Sequence, residues 1–154
     1  MARSRFSLAF KDEALDELMS ECAHQTLAVW AIDCARRVLP YFEKAYPDDP
    51  RPRQALETLR AWIDTGEFSM TTIRSASLAA HAAAREVGED NPARSAARAA
   101  GQAVATAHVR THAPGAALYA LQAIHRATGP AEADTAVATE RAWQHQRLRE
   151  LAKK

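Results

Sequence analysis

The sequence predicts an all-α protein: a compact bundle of six or seven helices, with close-packed alanine-rich helices at its centre. Alanine makes up 19 of the 48 residues from 76 to 123, and it has the highest helix propensity and little side chain to keep helices apart. Apolar residues elsewhere recur at the spacing of a helix, and capping residues, glycine and proline separate these stretches. We see no strand pattern that competes with this reading.

The chain has 154 residues, a length typical of one domain. We therefore predict a single helical domain over residues 1–154, with residues 1–11 as a flexible segment. About 70% of the unfolded surface is buried in a chain of this size, which is enough for a core without disulfides.

The first half of the chain predicts three helices. A short helix over residues 12–21 begins with acidic residues, which favour a helix N-terminus. A second helix starts near Leu27 and kinks or restarts at Pro40, because proline cannot donate its backbone hydrogen bond. Residues 47–53, PDDPRPR, hold three prolines within six residues and predict an extended connection. Residues 54–66 form the third helix and end at a glycine.

The second half predicts the central helices. Ser69 caps a helix that ends near residue 87, and Asn91 caps another that runs to about residue 111. We expect these two helices to pack through alanine, with Ala97 and Ala100 in the contact. Residues 112–114 interrupt the series, and two further helices cover about residues 115–128 and 131–151.

Composition disfavours several classes of protein. The net charge is +1, whereas dedicated nucleic-acid binders usually carry a basic excess. No run approaches the ~20 apolar residues of a membrane span, and the start of the chain is charged too early for a signal peptide. We expect a cytoplasmic protein.

Cys22 and Cys34 stand in helical patterns and are interpreted as buried, reduced thiols.

The sequence predicts neither catalysis nor a cofactor. It contains no serine nucleophile motif, glycine-rich phosphate loop or zinc-like cysteine spacing. We therefore expect that the protein is not an enzyme and has no catalytic residues.

Three histidines allow an alternative function. His108 and His112 are four residues apart, a spacing that can place two imidazoles on one helix face, and His81 precedes them on an alanine-rich helix. One hypothesis is a metal or small-molecule site made by these residues. The other is that they are structural histidines, hydrogen-bonded between close helices.

The proline-rich connection is a candidate recognition element. Prolines stiffen it, so that binding would cost little conformational entropy, and functional residues concentrate on such loops. Hot spots favour tyrosine and arginine. Tyr46, Arg51 and Arg53 are therefore the candidate partner-binding residues. Nearby, Asp33 lies at helical spacing from Arg36 and Arg37, which predicts a surface ion pair.

Two phrases carry a family resemblance. Residues 34–43 follow the pattern C-A-x-x-V-L-P-x-F-E, and residues 105–113 follow A-x-A-H-V-x-x-H-A. With the segment between Trp30 and Trp62, this order resembles the immunity proteins of bacterial polymorphic toxin systems, specifically the immunity-five-like domain, over residues 27–127.

This resemblance implies a small helical cytosolic protein that binds and neutralises a cognate toxin, with no catalytic residues to carry over. Immunity proteins against nucleases are often strongly acidic, so the near-neutral charge implies that the toxin need not be a nuclease. Two other hypotheses stay open: the histidine-dependent ligand site, and a homo-oligomer formed through the alanine-rich face.

Overall fold

Within residues 2–154, seven α-helices and a short 3-10 turn make up the fold. The structure of the protein, a computed structural model, describes residues 2–154. About 75% of the described residues are helical and none lies in a strand, which confirms the all-α prediction. The helices are α1 (Glu13–Ser20), α2 (His24–Ala45), α3 (Arg51–Thr65), α4 (Met70–Glu86), α5 (Pro92–Ala105), α6 (Ala113–Ala127) and α7 (Ala133–Ala152), with the 3-10 turn Arg110–His112 before α6.

Side-chain caps start three of these helices. Asp12, Ser69 and Asn91 each accept a hydrogen bond from the backbone N–H three residues later, which satisfies a donor that the first helical turn leaves unpaired. Gly66 ends α3 with φ at 70°, a conformation that glycine adopts without strain. The predicted caps at Ser69 and Asn91 and the stop at Gly66 are confirmed.

The two predictions from proline have different outcomes. α2 does not restart at Pro40, because the buried Val38, Leu39 and Phe42 hold both sides of it against the core; the kink that was the other expectation at this position stays a prediction. The extended connection predicted for residues 47–53 is wrong. α3 begins at Arg51, inside the expected extended connection. Pro52 is the second residue of this helix, where the backbone N–H would have no partner within the helix in any case.

The predicted end of α5 is also wrong. The helix stops at Ala105 rather than near residue 111, and the chain turns before it enters the 3-10 turn. Arg110 donates from Nη2 to the backbone oxygens of Met19 and Cys22, both at 2.8 Å. This contact holds the segment against the end of α1, so tertiary packing overrides the local helix preference.

α5 is the centre of the bundle. It packs against α2, α3, α4 and α6, and its buried residues are all small except Val104. Ala97 and Ala100 are fully buried, which confirms that the alanines lie in helix contacts. Small side chains let four helices approach one axis, since nothing larger than a methyl group has to fit at most of these positions.

Polar contacts fasten α7 to α2 and α6. Trp30 donates from Nε1 to the backbone oxygen of Gln144 at 2.9 Å, and Gln144 donates from Nε2 to the backbone oxygen of Ala117 at 3.0 Å. Arg37 contacts Glu140 at 2.6 Å, although Arg37 is partly exposed. All buried side-chain nitrogen and oxygen atoms within residues 2–154 have a hydrogen-bond partner, as expected for a well-formed interior.

The prediction of an ion pair within α2 is wrong. Arg147 of α7 contacts Asp33 at 2.8 Å, and Arg37 reaches Glu140 instead of Asp33. Both pairs join different helices, because α7 presents complementary charges along the surface of α2.

The segment before α1 lies against α6 and α7. Ser4 Oγ is 3.0 Å from Nε2 of His125, and the guanidinium of Arg141 lies 4.0 Å from the centre of the Phe10 ring. The flexibility expected for residues 1–11 stays a prediction, and Met1 lies outside the described residues.

The interpretation of Cys22 and Cys34 as buried, reduced thiols is confirmed. Both are free and buried, and burial raises the pKa of the Cys34 thiol well above its usual value.

None of the helices within residues 2–154 combines the length and apolar character needed to span a membrane.

Enlarging a central alanine tests the position of α5. We expect Ala100→Leu to lower the free energy of unfolding by about 1–3 kcal/mol, because extra methyl groups overpack a closed contact. Ala138→Leu, on the exposed side of α7, is the matched control and should change it by less than about 0.5 kcal/mol. Urea denaturation measures both, and equal effects would contradict the central position of Ala100.

Candidate functional site

A groove of about 180 Å³ lies between α4, the end of α5 and the 3-10 turn. Its lining includes Met70, Ile73, Leu78, His81, His108 and His112, and we call it the histidine groove. The structure therefore brings all three sequence-predicted histidines to one place, although they come from three different segments of the chain.

Gly101 lets α4 approach α5 beside this groove. Ser77 Oγ donates to the backbone oxygen of Gly101 at 3.0 Å. The imidazole of His81 occupies the space next to Gly101, where a Cβ atom would lie 2.6 Å from Nε2. Glycine is needed here for space, since any side chain would meet the histidine ring.

His81 is held as a neutral imidazole. Arg98 donates from Nη1 to Nδ1 of His81 at 2.8 Å, which leaves the imidazole proton on Nε2. Burial lowers the pKa of His81 to about 4, with further contributions from Arg98, Arg85 and His112. A charged imidazole would lose the Arg98 hydrogen bond and stand among other cations.

The other two histidines have different partners. His112 donates from Nδ1 to Oε1 of Gln102 at 2.9 Å, and His108 is exposed and stacks on Phe68, with the ring centres 6.3 Å apart. Within residues 2–154, no three His, Cys, Asp or Glu side chains are grouped as metal ligands. The metal hypothesis therefore gains no support from the geometry of the groove.

Large, solvent-exposed apolar side chains lie at the histidine groove. Met70 and Leu78 line it, and Phe68 stacks on His108 at its edge. The exposed fractions are 48% for Phe68, 36% for Met70 and 60% for Leu78. Our reading of the sequence missed these residues as site candidates. A signal was available, because Leu78 falls outside the inward-facing positions of α4 that Ile73 and Ala80 mark.

The proline-rich candidates lie at the junction of α2 and α3. Arg51 contacts Asp49 at 2.7 Å and Glu86 at 2.6 Å, and Arg53 donates from Nε to Glu43 at 2.6 Å. These hydrogen bonds lower the pKa of the Asp49 and Glu43 carboxyl groups. Both arginines are thus already paired within the chain.

Tyr46 is 37% exposed, and its ring centre lies 5.2 Å from that of Phe42. Among the described residues, no hydrogen bond or cation–π contact joins Tyr46 to Arg51 or Arg53. The three candidates lie in one region of the chain but do not form a single contact cluster.

The close approach at Gly101 yields a coupling prediction. Gly101→Ala should destabilise the wild-type protein by about 1 kcal/mol, because overpacking against His81 exceeds the gain in helix propensity. In a His81→Ala background the same change should stabilise by about 0.5–1 kcal/mol, since only the propensity gain remains. Urea denaturation of the four proteins measures the coupling, and equal effects in both backgrounds would rule out the contact.

His81 also predicts a pH dependence. Its pKa in the folded state is about 4, below the ordinary value, so the unfolded chain binds more protons between these two values. The contribution to stability is complete above the ordinary value and is lost as the pH falls towards 4.

From about pH 7 to about pH 5, wild type should lose about 1 kcal/mol more unfolding free energy than His81→Gln, allowing for partial exposure of the ring. His108→Gln, at an exposed position, should behave like wild type. The same loss in His81→Gln and wild type would contradict the assignment.

Comparison with known proteins places this chain in a family. Residues 17–151 match the family model described as "Imm-5 like putative immunity protein". Searches of curated proteins and of solved structures gave no match. Because the matched region includes all but the ends of the chain, the protein belongs to the Imm-5-like family of immunity proteins.

Proposed function

We propose that the protein is an immunity protein that binds a cognate toxin domain in the cytoplasm and neutralises it by stoichiometric association. The single observation that carries this proposal is the family match over residues 17–151. The helical bundle is compatible with it, because one face of a domain this small can supply the roughly 800 Å² that a standard protein interface needs from each partner.

We also propose that neutralisation requires no catalysis. Ser4 and His125 are 3.0 Å apart, the kind of contact that can activate a serine. Here, however, Ser4 donates its hydroxyl proton to Asp134, so the imidazole donates to the serine oxygen rather than accepting from it. A general base must accept that proton. Because the Asp134 carboxylate can only accept, the direction of this hydrogen bond favours a structural role.

The alternative functions receive less support. A homo-oligomer built on the alanine-rich face would need surfaces that are buried within one chain, as Ala97 and Ala100 are. A histidine-bound metal would need ligands that converge, whereas His81, His108 and His112 each have another partner.

The charge of the chain bears on the toxin. A net charge of +1 is unlike the acidic surface that imitates nucleic acid. We propose that recognition of the toxin does not depend on such imitation, and the toxin need not be a nuclease. Tyr46, Arg51 and Arg53 stay the sequence-based proposal for the contact surface, although a partner would have to compete with their ion pairs.

Co-expression tests the proposed function. The toxin domain encoded beside this gene should arrest growth when produced alone, and the intact protein should restore growth. The two proteins should co-purify at equal stoichiometry, as measured by light scattering after size-exclusion chromatography. A toxin domain from an unrelated system is the control and should be neither bound nor neutralised.

A folded protein that neither binds nor protects against the neighbouring toxin domain would refute the proposal. Protection accompanied by chemical modification of the toxin would instead contradict the stoichiometric mechanism.

A further inference from the structure

We infer that the histidine groove is the toxin-binding surface and that it receives an acidic protein segment bearing a large apolar side chain. This inference rests on the proposed function and adds to it the surface and the chemistry of the segment that is bound.

Exposed apolar side chains are grouped at the histidine groove. Phe68, Met70 and Leu78 are three of the six large hydrophobic residues exposed within residues 2–154. Met70 and Leu78 line the groove, and Phe68 stacks on His108, which also lines it. Single exposed hydrophobic residues are ordinary, whereas a contiguous patch with a polar rim marks an interaction site. The buried Ile73 extends this apolar surface into the groove.

Among the described residues, the charged side chains that line the groove or hydrogen-bond to its lining are arginines. Arg74 lines it, and Arg98 reaches it through the hydrogen bond to His81. Within the described chain, neither arginine has a carboxylate within ion-pair distance, and no Asp or Glu is among the lining residues. Arg51 and Arg53, in contrast, are paired internally.

The unpaired cations specify the chemistry of the partner. A segment with Asp or Glu beside a large apolar residue can neutralise Arg74 while it covers Leu78. Such complementarity favours the correct orientation and speeds association. A basic segment would meet like charge at the same place.

A second copy of this chain is a poorer occupant. Its acidic helix α1 carries the right charges, but Leu15 and Met19 on that helix are buried in its own core. Docking α1 into the groove of another copy would expose this apolar surface. A foreign segment has no such cost.

Binding of an inactivated toxin domain, encoded beside this gene, tests the surface by calorimetry. Leu78→Glu removes the most exposed apolar contact, and Arg74→Glu reverses the charge. We expect each to weaken binding by about tenfold or more, as for central interface residues. Raising the salt concentration should weaken wild-type binding more than binding by Arg74→Glu.

Two control variants accompany them. Arg149→Glu reverses a charge on α7, which packs on α1, α2 and α6 rather than near α4, and should leave the affinity unchanged. Tyr46→Ala combined with Arg53→Ala tests the sequence-based surface. Circular dichroism melting establishes that each variant is folded. The new carboxylate at position 78 lies one helical turn from Arg74, which favours retention of α4.

The outcomes separate the two proposals. Failure of wild type to bind would overturn both the proposed function and this surface. Wild-type affinity in folded Leu78→Glu and Arg74→Glu would overturn the groove and leave the proposed function standing. Loss only in the Tyr46 and Arg53 variant would assign binding to the other surface. Self-association of wild type that Leu78→Glu abolishes would make the groove an interface between copies, against the inference.

Discussion

The bundle depends on how closely neighbouring helices approach α5. This helix buries alanine against α2, α3, α4 and α6, and at Gly101 even a methyl group is excluded by the ring of His81. The packing around α5 is therefore set by backbone proximity more than by large side chains. Dispersion between closely packed atoms supplies stability that bulk apolar volume supplies elsewhere. An additional methylene group at a buried position of α5 would therefore strain the packing, because the interior has little free volume.

The same constraint shapes the surface. α4 faces the core with Ile73 and with small residues such as Ala80 and Ala84, whereas Leu78 lies on its exposed side. The ring of His81 fills the space beside Gly101 and takes a hydrogen bond from Arg98, which positions that cation beside the groove. The close helix contact and the candidate binding surface are thus two sides of one helix.

Local signals predicted most of the fold. The caps at Ser69 and Asn91 and the stop at Gly66 depend on residues within one turn, and they were correct. The end of α5 was not predictable in this way, because it depends on the contact of Arg110 with α1, about 90 positions away in sequence.

For the site, helical spacing singled out His108 and His112, and the alanine-rich helix singled out His81. It could not show their different partners, nor that Arg51 is paired with Glu86 on another helix. Long-range side-chain contacts of this kind carry no local sequence pattern, so the candidate surface emerged only from the fold.

Hydrogen–deuterium exchange of the chain, alone and with the neighbouring toxin domain, tests the account most directly. We expect the α5 amides to exchange slowest in the free chain, because α5 is the most enclosed helix. We also expect the toxin to slow exchange in residues 68–81 and 108–112, which form or border the histidine groove. Slowing confined to residues 43–53 or to α7, with residues 68–81 unchanged, would contradict it.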